Sequence, residues 1–493
     1  MANESPPASS ARQPSAATGS EPGGGLRKNA VSPWAVAITS MAGAGPAASV
    51  ALAIPVMAAF AGRAAIFALV ITLLAMAALT NTFAEFSKRI PSAGSLYAWN
   101  SAGLGPNFGF IFGWFFVGCY LCIAAEGFSV AGGYLQSFFQ TAFSANIPWW
   151  IFSCVAVLYV LAFAWRGIHV SSQAALTLLA FEVGIVIALM LWLLISGDAH
   201  PSLSVFNPGT SPGGWSAIGL AISFGIVGLA GFEEAATLGE EAQDPRRSVG
   251  RGLFTAVILL QVFFIFAGWI ALSSYGSVAK YAADPNGLQT LASRAWGGFG
   301  NVITVILISS VLAFTLTAFN AGVRVIYSLS RVRVIPPLFA RTSPRFQTPG
   351  PAIILLAVVT IPPAFILGAF KGPISAFAYY GFLVSVAFAV IYVLTNFALL
   401  RYIRRYAPGE FSVVRHVILP LVAVLGVGYA LYRSVVPLPP APLNLLPWVI
   451  AAWAVIGIGI LVYLRVSGRA DIRDVGRAFA AEWDEAAQSE VRP

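Results

Sequence analysis

Ser223-Phe224-Gly225-Ile226-Val227-Gly228-Leu229-Ala230-Gly231-Phe232-Glu233-Glu234-Ala235-Ala236 is the stretch that decides the fold. It sits in an apolar segment, residues 215–238, that reaches the ~20 residues needed to cross a bilayer. Yet three glycines and two adjacent carboxylates fall near its centre. Weak helix formers and charges at mid-depth are tolerated where the backbone lines a cavity and does not face lipid. The stretch therefore reads as a broken helix that forms half of a small-molecule site.

The rest of the chain agrees with a membrane setting. Mean hydropathy is +0.81, and only 10% of the 493 residues are charged. That composition indicates an all-helical polytopic membrane protein. The net charge of +9 then reflects cytoplasmic loops and not a nucleic-acid partner. Cys119, Cys122 and Cys154 all lie in apolar segments and read as buried small apolar residues. His169, His200 and His416 are scattered at expected loops or span ends. With no metal-ligand spacing, phosphate-binding glycine loop or nucleophile elbow, neither an enzyme, a metal site nor a cofactor is expected.

Residues 1–31 are rich in Ser, Pro, Ala and Gly and read as a disordered cytoplasmic tail. Twelve apolar segments follow, at 34–60, 64–86, 106–139, 148–165, 170–195, 215–238, 249–275, 299–329, 352–370, 374–400, 416–435 and 445–466. The first ten form a transport core within residues 32–402, and the last two fall within 403–466. A polar cytoplasmic tail, 467–493, ends the chain. Placing both termini in the cytoplasm puts Arg63, Lys280, Arg294, Lys371 and Arg433 outside, five of the 28 Lys and Arg. That asymmetry sets the expected orientation in the plasma membrane.

A second interruption lies in the first segment, at Gly43-Ala44-Gly45-Pro46-Ala47-Ala48-Ser49-Val50. Pro46 lacks an N–H and crowds the preceding turn, and the glycines weaken the helix before it. Interruptions in the first and sixth of twelve segments are where a five-plus-five inverted repeat would place them. In such a site a half-helix N-terminus attracts a carboxylate, and exposed carbonyls attract an ammonium. Amides near Ala48, Ser49 and Val50, with Gly45, Pro46 and Ala47 beside them, are expected to hold a carboxylate. Carbonyls of Val227, Gly228, Leu229 and Ala230, next to Gly231, are expected to hold an amine. Phe232, or Phe224, is expected to shield the site.

Four carboxylates lie within expected spans: Glu126 in the third, Glu182 in the fifth, and Glu233 and Glu234 in the sixth. No Lys or Arg is expected at their depth; Arg324 is the nearest. Such groups suit a proton carrier and equally a site for a cation. Glu126, Glu182 and Glu233 are the proton-coupling candidates. Glu234 points about 100° away from Glu233 on a helix, so one of the pair is expected to face the site.

These residues resemble the amino acid–polyamine–organocation (APC) permease superfamily. The most specific part is Gly231-Phe232-Glu233 followed by Gly239-Glu240-Glu241-Ala242-Gln243-Asp244-Pro245-Arg246-Arg247. Further matches are Glu85-Phe86-Ser87 with Pro91-Ser92-Ala93-Gly94-Ser95-Leu96-Tyr97, then Gly109-Phe110-Ile111-Phe112-Gly113-Trp114, and Arg324-Val325-Ile326-Tyr327 leading to Pro336. The resemblance implies a LeuT-like five-plus-five core with broken helices 1 and 6, two extra C-terminal helices and alternating access. Aligned on Pro55 and Gly62, the superfamily's G-S-G triplet falls on Ala48-Ser49-Val50, keeping only the serine. Where several proton-coupled members carry a lysine on the fifth helix, this chain has Glu182. The expected activity is secondary active transport of amino acids or related amines, with H+ as the coupling ion. A polyamine or ethanolamine-type amine carrier and an amino-acid-binding membrane sensor remain open as alternatives.

Overall fold

In lipid every backbone N–H and C=O must be satisfied within the protein, which leaves helices as the simplest spanning element for a chain this apolar. The computed structural model describes residues 32–90, 95–167, 172–240, 244–331 and 335–467, so the expected tails and His169 lie outside the described residues. Among the described residues there is helix and turn but no strand. The α-helices are α1 (Pro33–Gly43), α2 (Pro46–Ala61), α3 (Ala65–Ser87), α4 (Ser95–Leu104), α5 (Pro106–Phe143), α6 (Trp149–Arg166), α7 (Ser172–Ile195) and α8 (Gly214–Val227). They continue as α9 (Pro245–Ser274), α10 (Val278–Ala283), α11 (Gly287–Trp296), α12 (Asn301–Arg331), α13 (Gly350–Lys371), α14 (Ala376–Tyr406), α15 (Leu419–Val435) and α16 (Leu446–Ser467).

Ten continuous helical stretches among the described residues are long and apolar enough to cross a membrane. Twelve apolar segments were expected, and the difference has a local cause. The first is divided into α1, 11 residues, and α2, 16 residues. The sixth is divided into α8, 14 residues, and a 3-10 segment, Phe232–Glu240. Each piece is shorter than the ~20 residues a span requires. Conversely, α2 and α3 join into one 42-residue stretch, although Gly62 between them adopts φ 61°.

The longest helix, α5, packs against the 31-residue α12 and forms with it the backbone of the bundle. The 38 residues of α5 extend about 57 Å at 1.5 Å per residue. Against this pair and α14 lie the broken elements: α2 packs on α8, and α1 on α9 and Phe232–Glu240. Helix α15 bridges α3 and α8. α16 is peripheral, with only Gly457 and Leu464 buried. It is held to α5 by Trp453 stacked on Trp114 at 4.3 Å. Cys119 is buried as expected, but Cys154 on α6 is exposed, because α6 presents one apolar face outward as a lipid-facing helix can.

Candidate functional site

The first break is narrower than the sequence suggests. α1 ends at Gly43, Ala44 caps it, and Gly45 adopts φ 55°, ψ 68°, a left-handed conformation that suits glycine. Pro46 then opens α2 at the first helical position, where its missing N–H removes a donor that would be orphaned anyway. The expected G-S-G position, residues 48–50, therefore lies inside the first turns of α2; the chain bends at Gly43-Ala44-Gly45 instead. The second break follows Val227. Gly228 donates to the Phe224 carbonyl at 3.0 Å, Leu229 to Ile226 at 3.1 Å, Ala230 to Val227 at 2.9 Å and Phe232 to Leu229 at 3.0 Å. Gly231 turns the backbone with φ 98°.

The two breaks touch through backbone. A Cβ added to Gly43 would lie 2.8 Å from the Gly231 carbonyl oxygen, and one added to Gly231 would lie 2.5 Å from the Gly43 oxygen. Only glycine permits this approach. The Ser40 hydroxyl ties the halves together by donating to the Phe232 carbonyl at 2.7 Å. Ser49 donates back across the first break to the Ala44 carbonyl at 2.8 Å.

Aromatic clusters flank the contact on both sides. Phe232 stacks on Phe83 at 5.8 Å, and Phe83 meets Tyr392 and Trp99. Phe224 stacks on Phe60 at 5.8 Å and approaches Phe377 and Phe382. Both Phe224 and Phe232 are fully buried.

The intramembrane carboxylates are all buried, but the structure does not bring all of them together. Glu233 accepts the Gly231 amide at 3.2 Å, and the Tyr392 hydroxyl faces it. Its other oxygen is buried without a hydrogen-bond partner. Glu234 also approaches the contact between the breaks, although one of the pair was expected to turn away. Its carboxylate lies 3.6 Å from the position a Gly43 Cβ would take, and Arg324 is its cationic neighbour. The cause is the backbone: after Gly231 the chain is a 3-10 segment packed on α1, not an amphipathic α-helix. Glu182 on α7 faces the Ser310 hydroxyl of α12 and the Ala47 amide of α2. Glu126 stands apart on α5, with Cys122 and Tyr380 as its titratable neighbours.

Sequence reading missed Ser40, Ser310 and Tyr392, because a lone hydroxyl in an apolar helix carries no motif. It also missed a network where α3 meets the loop before α15. Glu85, 1% exposed, takes Lys88 Nζ at 2.6 Å, Arg89 Nη1 at 2.8 Å and buried His416 Nε2 at 3.2 Å. His416 Nδ1 accepts the Ser412 amide at 2.9 Å, which leaves Nε2 to carry the proton toward Glu85. Arg89 continues to Glu410 at 2.5 Å.

With this geometry in view, comparison with known proteins is direct. The sequence profile of one family, described as amino acid permease, matches residues 30–461. The chain belongs to the amino acid permease family. Similar proteins include a branched-chain amino acid permease of Lactococcus lactis, 26% identical over 64% of this chain and 70% of that protein. A methylthioribose transporter of Bacillus subtilis is 25% identical over 59% of this chain and 64% of that one. A low-affinity putrescine importer of Escherichia coli is 23% identical over 57% and 62%. The last two alignments thus span less than two thirds of the relatives' own lengths. Among solved structures, a manganese transporter of Eremococcus coleocola superposes with a TM-score of 0.54 at 14% identity, over 89% of this chain and 95% of that one. That likeness concerns the fold alone. As a permease-family member with ten apolar helices, the chain is a multi-pass membrane protein of the transporter class.

Proposed function

We propose that this permease is a secondary active transporter of amino acids or related amines in the plasma membrane, working by alternating access with H+ as the coupling ion. The observation that carries the proposal is the backbone contact of Gly43 with Gly231, with the Glu233 carboxylate on the Gly231 amide and the Glu234 carboxylate close to Gly43. Discontinuous helices meeting at mid-membrane are the usual construction of a transporter site. In this reading each broken pair counts as one pass, so the chain crosses twelve times with both termini cytoplasmic, and its first ten passes form a five-plus-five repeat. Residues 45–50 and 227–232 line the substrate, Phe224 and Phe232 shield it from opposite sides, and Glu233 carries the coupling proton.

The test is uptake of a radiolabelled amino acid and amine panel in proteoliposomes, with pH and sodium gradients imposed separately. Uptake driven by an inward proton gradient is expected. Uptake driven only by sodium overturns the coupling assignment, and binding without flux replaces transport by sensing. An amine carrier is the second reading, favoured by the position of Glu182 at the start of α2.

A further inference from the structure

We infer that Glu182 sets the substrate class: its carboxylate stands where a substrate carboxylate would dock, so the transported molecule is a cationic amine without a carboxylate. The inference rests on the transporter reading and narrows it.

It begins with the amide donors of the first break. A helix N-terminus binds an anion through its unsatisfied N–H groups. At the start of α2 the chain itself occupies them. Pro46 has none. Helix α7 packs against α1, α2 and α12 and places the Glu182 carboxylate beside the Ala47 amide. The Ala48 amide donates to Ser310 Oγ at 3.3 Å, and the Ser49 amide to the Gly45 carbonyl at 2.9 Å. Just upstream, Ala44 and Gly45 donate to Ser40 and Ala42. The second break is equally closed to an anion: its amides from Gly228 to Ala230 are used in turns, and the Gly231 amide is taken by Glu233.

Acceptors are left over. Glu182 Oε2 and Glu233 Oε1 are both buried with no hydrogen-bond partner. Neither carboxylate makes an ion pair with a described Lys or Arg; the one cation nearby, Arg324, is the neighbour of Glu234. Unpaired buried carboxylate oxygens favour an ammonium ligand. A second carboxylate brought to α2 would meet Glu182 as a like charge in a low-dielectric setting. Glu182 thus excludes amino acids by occupying the anion site and attracts amines by its unpartnered oxygen.

The experiment uses the full chain in proteoliposomes without imposed gradients, measuring counterflow of two pairs that differ only in the carboxylate: putrescine against ornithine, and isoamylamine against leucine. In the wild type the amine of whichever pair is moved should exceed its amino acid by about tenfold or more. Glu182→Ala, which frees the Ala47 amide, should shift that ratio toward the amino acid by about tenfold. Glu182→Gln keeps the volume and an acceptor oxygen but removes the charge, and should weaken the amine preference by less than Glu182→Ala does. Should Glu182→Ala fail to fold, the wild-type ratio and the Gln variant still decide. Faster counterflow of the amino acids by wild type overturns the inference and leaves the transporter reading intact. So does a ratio unmoved in a well-folded Glu182→Ala protein. No counterflow of any of the four compounds overturns both.

Discussion

The two breaks are built from the same ingredients, glycine flanked by apolar helix, yet they satisfy their freed amides in different ways. At the first, the N-terminal amides of α2 meet protein groups supplied from elsewhere in the bundle, Glu182 from α7 and Ser310 from α12. At the second, the chain satisfies its own amides by short-range turns and the Glu233 carboxylate, and leaves Glu233 Oε1 buried without a partner. A helix end is an anion site only if its donors are free. Chain interruption therefore locates a site, while the partners of the freed backbone groups decide which charge it takes.

The most damaging way to break the comparison is to separate the halves. Gly231→Val places a side chain on the Gly43 carbonyl at a residue with positive φ, and should abolish folding or uptake outright, read by detergent-extracted yield and proteoliposome uptake. Gly228→Ala is the matched control. Its Cβ would lie 3.5 Å from Ala53, an ordinary contact, so uptake should stay within about twofold.

Next in size is the acid half. Wild-type uptake should rise as the external pH falls, because protonation is the coupling event. Glu233→Gln should flatten that profile and lower proton-driven uptake by about tenfold or more. An unchanged pH profile in Glu233→Gln removes Glu233 from the coupling role. Glu126→Gln, altering a carboxyl whose titratable neighbours are Cys122 and Tyr380, should change the profile less.

Smaller effects should come from the hydroxyls. Ser40→Ala removes the bond from α1 to the Phe232 carbonyl, and Ser310→Ala removes the partner of the Ala48 amide. Each should destabilise the protein by about 1 kcal/mol, read as a lowered melting temperature in detergent. Ser310→Ala should also weaken the preference for amine over amino acid, because it loosens the hold on Glu182; Ser40→Ala should not. Equal effects on that preference would mean that the two breaks do not differ in the way described.

Much of the fold was legible because a bilayer imposes lengths. Apolar runs near 20 residues, the glycines at Gly43, Gly45, Gly228 and Gly231, and the Gly-Phe-Glu signature at Gly231 are local features that need no knowledge of neighbours. The breaks were legible to within a turn, since Gly and Pro act on their own backbone. The first break was read across Gly43–Val50, and the structure narrows it to Gly43-Ala44-Gly45 before Pro46: several small residues lie side by side there, and local propensity does not say which one bends. His416 was read only as an end of the eleventh apolar segment for a similar reason. Its burial against Glu85 depends on α15 packing on α3, a contact between residues far apart in the chain.

A membrane protein with two interrupted helices and acidic residues at depth can be read from the residues alone. Hydropathy, charge asymmetry and glycine conformation are properties of short segments. The meeting of Gly43 with Gly231, the approach of the Glu234 carboxylate to Gly43 and the place of Glu182 beside the start of α2 arise only in the tertiary structure. Those facts depend on which helices pack together, and in an apolar bundle nearly every face is hydrophobic enough to be buried or to face lipid. The polar atoms select among those packings, and their partners become visible only once the helices are in place.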